Sequence, residues 1–225
     1  MRDKPIVLEL FSGVGEFSAT VRKRGGVAYT VDWSEKVDAD LHADVGKLTV
    51  KDVYDLCGGI PDVVWASPQC TTYSIATNKH RTLGEGLVPK TELAKFDDAV
   101  NVALWKLIDE LLSCGTEYYF VENPRGRMRH MWFVKDRPRY TITYCSYGNK
   151  GSASRFADYY VAKPTDIWTN YPDPPFRPIC RRPYQHEHIT FGKGEKRSCL
   201  SRSQMPQPLL DSIVDMFMLN KMDFL

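Results

Sequence analysis

Short apolar runs alternate with helical stretches along this chain, and the runs break off on glycine, hydroxyl, thiol or carboxyl residues. That alternation narrows the possible folds more than any other feature. Residues 5–10, 27–31, 62–66 and 118–121 are strand-like. Residues 16–24 read as a helix stopped by Gly25 and Gly26. In the longest helical pattern, 91–114, Leu93, Phe96, Val100, Leu104, Leu107, Ile108, Leu111 and Leu112 recur at helical spacing. Late strands are expected at 140–145 and 159–162, irregular proline-rich chain at 172–183, and a closing helix at 209–219. The pattern predicts an α/β, Rossmann-like, doubly wound and mostly parallel sheet. Such sheets bind ligands outside the carboxyl ends of their strands. The residues to examine are therefore Ser12–Gly15, Asp32, Ser67–Cys70 and Glu122 with Asn123.

A length of 225 residues fits one domain, or one with a small appendage. With 43% hydrophobic and 26% charged residues the chain is ordinary globular material, neither disordered nor fibrous. It has no apolar run of about 18 residues, so no membrane span is expected. The first residues lack the apolar core and cleavage site of a signal peptide, which makes the cytoplasm the expected compartment. Six cysteines are too few for a disulfide scaffold. Nothing in the sequence demands an obligate protein partner.

Net charge is only +2, but it divides unevenly. Residues 1–120 carry 13 basic and 18 acidic groups; residues 121–225 carry 17 and 10. Arg125, Arg127, Arg129, Lys135, Arg137 and Arg139 face a single acid, Asp136, within 125–139, and 177–202 hold seven basic groups. Such a half suits phosphate contacts.

Gly13 and Gly15 follow the first strand, where bare backbone lets a ligand approach the following helix terminus. Asp32 lies about 20 residues further, placed to bind a ribose hydroxyl pair. Trp33 beside it is placed to stack on adenine, and Asp44 to accept from an adenine amino group. No Gly-Lys-Ser/Thr follows the turn, which argues against ATP; these residues alone leave NAD open.

Cys70 sits among Ser67, Pro68, Gln69, Thr71, Thr72 and Ser74, a poor core environment and a suitable one for a nucleophile. Cys57, Cys114 and Cys145 read as structural. Glu122 ends another buried strand, and a carboxyl there tends to keep its proton, as a general acid must.

Together these segments resemble the DNA cytosine-5 methyltransferase family, its small phage-type members most closely. Residues 10–15 (Leu-Phe-Ser-Gly-Val-Gly) match the family's cofactor loop, Asp32-Trp33 its ribose acid and adenine stacker, and 43–45 its adenine segment. Residues 67–74 match its nucleophile loop, Glu122-Asn123-Pro124 its Glu-Asn-Val, and 204–210 its last motif, which packs back on the cofactor site. The resemblance implies the S-adenosylmethionine-dependent methyltransferase fold. It implies S-adenosylmethionine held by Phe11, Ser12, Gly13, Gly15, Asp32, Trp33, Asp44 and Pro68. It also implies cytosine-containing DNA as partner and transfer to carbon 5 of a flipped-out cytosine, through a covalent Cys70 adduct assisted by Glu122 and Asn123.

The chain departs from the family in places. Glu9 replaces an Asp, Glu16 a second glycine, and Gln69 the proline before the cysteine. The Gln-x-Arg-x-Arg pattern is missing from 147–155; Arg155 is expected to take the arginine's part, with Lys163 as alternative. The expected division is a catalytic domain at 1–164, a reduced, irregular recognition region at 165–203 and a returning helix at 204–225. Residues 74–89, with Lys79, His80 and Arg81, are expected to be a mobile flap over nucleic acid. Cys180, His186, His188 and Cys199 offer zinc ligands for a small recognition lobe, but their spacing matches no zinc finger, so no metal is assigned to them. The competing readings are a catalytically weak DNA-binding module on the same fold, a cytosine methyltransferase of RNA or a free nucleotide, and an NAD oxidoreductase.

Overall fold

The structure, a computed structural model, describes residues 4–148, 163–180 and 204–222. Strands β1 (Ile6–Leu10), β2 (Val27–Asp32), β3 (Leu41–His42), β4 (Val63–Ala66), β5 (Tyr118–Pro124), β6 (Arg139–Thr143) and β7 (Pro164–Thr169) form one sheet. Their order is β3-β2-β1-β4-β5-β7-β6. The first five run parallel, and β7 lies antiparallel between β5 and β6. Helices α1 (Glu16–Lys23), α2 (Val50–Cys57), α3 (Glu92–Ser113) and α4 (Gln207–Met222) cover the two faces. This is the expected Rossmann-like, doubly wound sheet. Its order reverses between β1 and β4, the point at which sheets of this kind bind ligands.

Alternation along the strands divides the core. Leu8, Leu10, Val64, Ala66 and Val121 turn to one face and pack with Leu104, Trp105, Leu107, Ile108 and Leu111 of α3. Val7, Val63, Trp65 and Phe120 turn to the other, where Phe17 and Val21 of α1 meet Leu209, Leu210, Ile213, Val214 and Phe217 of α4. Burial on both faces is why the central strands read as unbroken apolar runs.

Three expectations change. Residues 165–169, expected to begin the recognition region, are the buried strand β7 inside the sheet. The strand expected at 140–145 ends at Thr143, and Tyr144–Tyr147 form a tight 3-10 turn. Helix α2 had no counterpart in the sequence reading; Thr49 and Asp52 close a capping box at its start, and Gly58 ends it in the left-handed region. The strand expected at 159–162, Arg155, His186, His188 and Cys199 lie outside the described residues. Among the described residues no helix is long and apolar enough to cross a membrane.

Candidate active site at the strand ends

The parallel strands deliver the expected residues to one edge of the sheet. Phe11–Gly15 leave β1, Asp32 and Trp33 end β2, Pro68 and Cys70 follow β4, and Glu122 and Asn123 lie near the end of β5.

The β1 loop is built to face a ligand with backbone. Phe11, Gly13 and Gly15 all have positive φ, and a side chain at Gly13 would meet nothing within 4 Å. Asp32 supports the loop from the neighbouring strand: its carboxylate accepts from the Gly13 amide at 2.9 Å and from the Ser34 amide at 2.9 Å. A carboxylate has further lone pairs, so it can still accept hydroxyls. Trp33 is 69% exposed, an open platform beside it. The Ser12 hydroxyl is buried and has no hydrogen-bond partner among the described residues, as expected of a group that meets a polar ligand. These residues fit an adenosine cofactor with a polar tail. Asp44 fits less directly: its Oδ1 caps a turn by accepting from the Gly46 amide at 2.9 Å.

The two substitutions flanking the glycine loop have structural roles. Buried Glu9 accepts from the Ser18 amide at 2.8 Å in the first turns of α1, and burial pushes its carboxyl up to about 7. Glu16 accepts from the Met205 amide at 3.1 Å, while Gln207 donates to the Thr20 hydroxyl at 3.1 Å. The chain before α4 thus returns to the cofactor loop, where the last motif was expected to pack.

Cys70 is exposed and opens the short turn Thr71–Tyr73. A side chain inside the sheet anchors its loop: the Asn123 amide donates to the Pro68 carbonyl at 2.9 Å. The chain beyond β5 then crosses back, with the Arg127 amide donating to the Tyr73 carbonyl at 2.7 Å. Only glycine fits at 126, where a Cβ would lie 2.6 Å from that carbonyl. The Cys70 loop and the Glu122 strand are thereby one unit.

Glu122 is buried and paired with groups from the turn after β6 and the residue just before β7. Tyr144 donates its hydroxyl to Glu122 Oε1 at 3.1 Å. The Lys163 ammonium lies 3.9 Å from the same oxygen, 3.3 Å from the Tyr144 hydroxyl and 4.6 Å from the Tyr144 ring centre. Burial raises the Glu122 pKa, against Lys163 and the Tyr144 hydrogen bond, and Asp166 adds to the rise. Of the two basic residues considered for the missing arginine, Lys163 is the one seen beside the carboxyl. Tyr144 was missed, because only the tight turn after β6 swings it back over β5, and no sequence pattern marks that turn.

Two expectations about the basic residues are corrected. Arg81 is fully buried rather than carried on a flap. Its guanidinium forks onto Asp98 at 2.6 and 3.0 Å, donates to the Thr72 carbonyl at 2.9 Å and lies 4.3 Å over the Tyr73 ring. The 125–139 arginines are largely engaged within the protein. Arg127 holds Ser74, Thr77 and Asn78; Arg129 holds buried Asp166; Arg137 forks onto Asp109 at 2.7 and 2.9 Å. Arg125 and Lys135 remain exposed.

No family model matches the chain. A curated relative does: the probable DNA (cytosine-5)-methyltransferase of Frog virus 3 (isolate Goorha) is 29% identical over 167 residues, covering 73% of this chain and 70% of that protein. The resemblance read from the motifs therefore has a counterpart in overall sequence. Solved structures of similar shape include the Schizosaccharomyces pombe (S. pombe) Dnmt2 methyltransferase, with 13% identity, 74% of this chain, 49% of that one and a TM-score of 0.45. A Spodoptera frugiperda DNMT2 variant shows 15% identity, 83% of this chain, 54% of that one and a TM-score of 0.45. The chain spans about half the length of those two proteins.

Proposed function

We propose that this relative of a viral cytosine-5 methyltransferase is itself an S-adenosylmethionine-dependent enzyme that methylates carbon 5 of cytosine in DNA. One observation carries the reading. An exposed thiol, Cys70, just beyond β4, and a buried carboxyl, Glu122, whose pKa burial raises, on the neighbouring β5, are tied by the Asn123–Pro68 hydrogen bond, beside a β1 loop and β2 end fitted to an adenosine cofactor.

The target ring must leave the base stack to reach such a site. The Cys70 thiolate adds to carbon 6 of the cytosine ring. Glu122 holds ring nitrogen 3 and gives it a proton, so that electron density builds at carbon 5. Burial raises its pKa, which favours the protonated form that a general acid needs. Tyr144 and Lys163 fix the carboxyl's orientation from the side away from the nucleophile loop. Asn123 keeps the loop in register with Glu122. S-adenosylmethionine, held by the β1 loop, Asp32, Trp33 and Pro68, supplies an electrophilic methyl group. Water takes the carbon 5 proton, its electron pair re-forms the ring double bond as the Cys70 sulfur departs, and Glu122 takes back the nitrogen 3 proton. Arg155 is proposed to contact the target nucleotide; the short region beyond β7, with its seven basic groups in 177–202, is proposed to hold phosphates.

Duplex DNA carrying 5-fluorocytosine tests the covalent step, since fluorine at carbon 5 blocks release of the sulfur. With S-adenosylmethionine the parent protein should form a denaturation-resistant complex, and Cys70→Ser none. A folded, cofactor-binding protein that forms no complex, or a complex that survives Cys70→Ser, contradicts the assignment.

A further inference from the structure

Two cysteines that the proposed chemistry does not use meet at the turn after β6. Cys145 is buried in the turn after β6, immediately following Tyr144. Cys180 is half-buried, and its thiol is a near neighbour that adds to the rise burial gives the Cys145 pKa. The encounter is organised by more than the sulfur atoms. The Cys180 amide donates to the Thr143 hydroxyl at 2.9 Å, and the Ser146 hydroxyl donates to the Pro178 carbonyl at 2.9 Å. The Arg177 amide donates to the Tyr147 hydroxyl at 2.7 Å, with the Arg177 guanidinium 4.9 Å over that ring and bonded to the Ser146 carbonyl at 3.0 Å. Residues 177–180 are thus laid along the 143–147 turn by backbone and side-chain bonds that owe nothing to the thiols.

We propose that Cys145 and Cys180 are a redox-reactive dithiol that closes reversibly to an intramolecular disulfide when it meets a low-molecular-weight disulfide of the glutathione class. A disulfide requires both sulfurs within bonding approach and backbones that need not move. The docked segment brings the two cysteines together through bonds that do not involve sulfur. The two thiols differ in access, which sets the order of events. The more exposed Cys180, as thiolate, attacks one sulfur of the small disulfide and expels the other as a thiol once it takes up a proton. Cys145, whose burial holds its proton more tightly, then loses that proton and attacks the Cys180 sulfur of the mixed disulfide, expelling the second small thiol. Two protein thiols are oxidised by two electrons, and one small disulfide is reduced to two thiols. The new bond fixes the root of the segment leading into the basic residues of 181–202 against the turn that carries Tyr144.

This inference does not depend on the methylation reading, and its test does not measure methylation. The full-length protein, with Cys70→Ala to remove the exposed site nucleophile, is equilibrated with reduced and oxidised glutathione at graded ratios. Thiols are then blocked at acid pH and the protein is digested without reduction. The expected product is a linked peptide pair joining Cys145 to Cys180, with the mass lowered by two hydrogens, formed equally at dilute and concentrated protein and reversed by excess reduced glutathione. Cys145→Ser should convert it to a glutathione adduct on Cys180, and Cys180→Ser should leave Cys145 unmodified. A stable glutathione adduct on Cys180 in the protein with both cysteines, or links elsewhere or between molecules, overturns the proposal.

Discussion

Replacing Arg81 by methionine tests the internal clamp on the nucleophile loop. Methionine keeps most of the aliphatic stem but removes the fork onto Asp98, the bond to the Thr72 carbonyl and the stack over Tyr73. Breaking a buried ion pair by deleting one partner costs about 3–5 kcal/mol, because the surviving charge stays desolvated and unpaired. Here Arg81 is wholly buried and Asp98 retains 19% side-chain exposure, which places the loss near the lower end, at about 3 kcal/mol. That is a large share of the roughly 5–15 kcal/mol that holds a domain together. With a urea dependence of about 1–3 kcal/mol per molar, the midpoint should fall by roughly 1–3 M. Arg81→Lys keeps the charge but cannot form the fork, so it should lie between methionine and the parent. Asp98→Asn in the methionine background should cost far less than in the parent, because the pair is already broken. A midpoint for Arg81→Met within experimental error of the parent would show that 81–89 hang free as a flap and that the nucleophile loop is held by something else.

Three further outcomes follow from the same contacts. Glu9 holds its proton to about pH 7 in the folded chain against an ordinary 4.5. Between those values the unfolded chain has already lost a proton that the folded chain retains, so stability should decline as pH rises through that window and level off above it. Glu9→Gln should flatten the decline and gain up to about 3 kcal/mol at pH 8, read by urea titration across pH. Gly126→Ala would press a Cβ to 2.6 Å from the Tyr73 carbonyl; a loss of about 1–3 kcal/mol is expected, with slower methylation below the unfolding range. Lys163→Met removes the cation that lowers the Glu122 pKa, so Glu122 should keep its proton to higher pH. The alkaline fall of the methylation rate should shift upward, whereas a purely structural role would lower the rate without moving the limb.

Much of the site was legible because a parallel sheet writes it into the chain. Strands buried on both faces read as apolar runs, and the polar residue where each run stops marks the ligand edge: Gly13 and Gly15, Asp32, Cys70, Glu122. What was illegible depended on partners distant in sequence. Strand β7 opens with Pro164 and carries Asp166, a charge that is tolerable at full burial only because Arg129 and Thr141 bond to it. The arginines of 125–139 read as a phosphate-binding face because their internal acceptors, Asp109, Asp166 and the carbonyls of 74–77, lie elsewhere in the chain. Tyr144 and Lys163 meet Glu122 only through the antiparallel return of β7. Arg81 looked like a loop charge until its fork partner appeared 17 residues on, on α3.

The most direct measurement is nucleoside mass spectrometry of cytosine-containing duplex DNA incubated with the protein and S-adenosylmethionine, beside Cys70→Ala and with single-stranded DNA and RNA in parallel. The account predicts 5-methyldeoxycytidine from the intact protein and none from Cys70→Ala. Product formed equally by Cys70→Ala, 5-methylcytidine on RNA alone, or no product on any substrate from a folded protein that binds the cofactor, would contradict it.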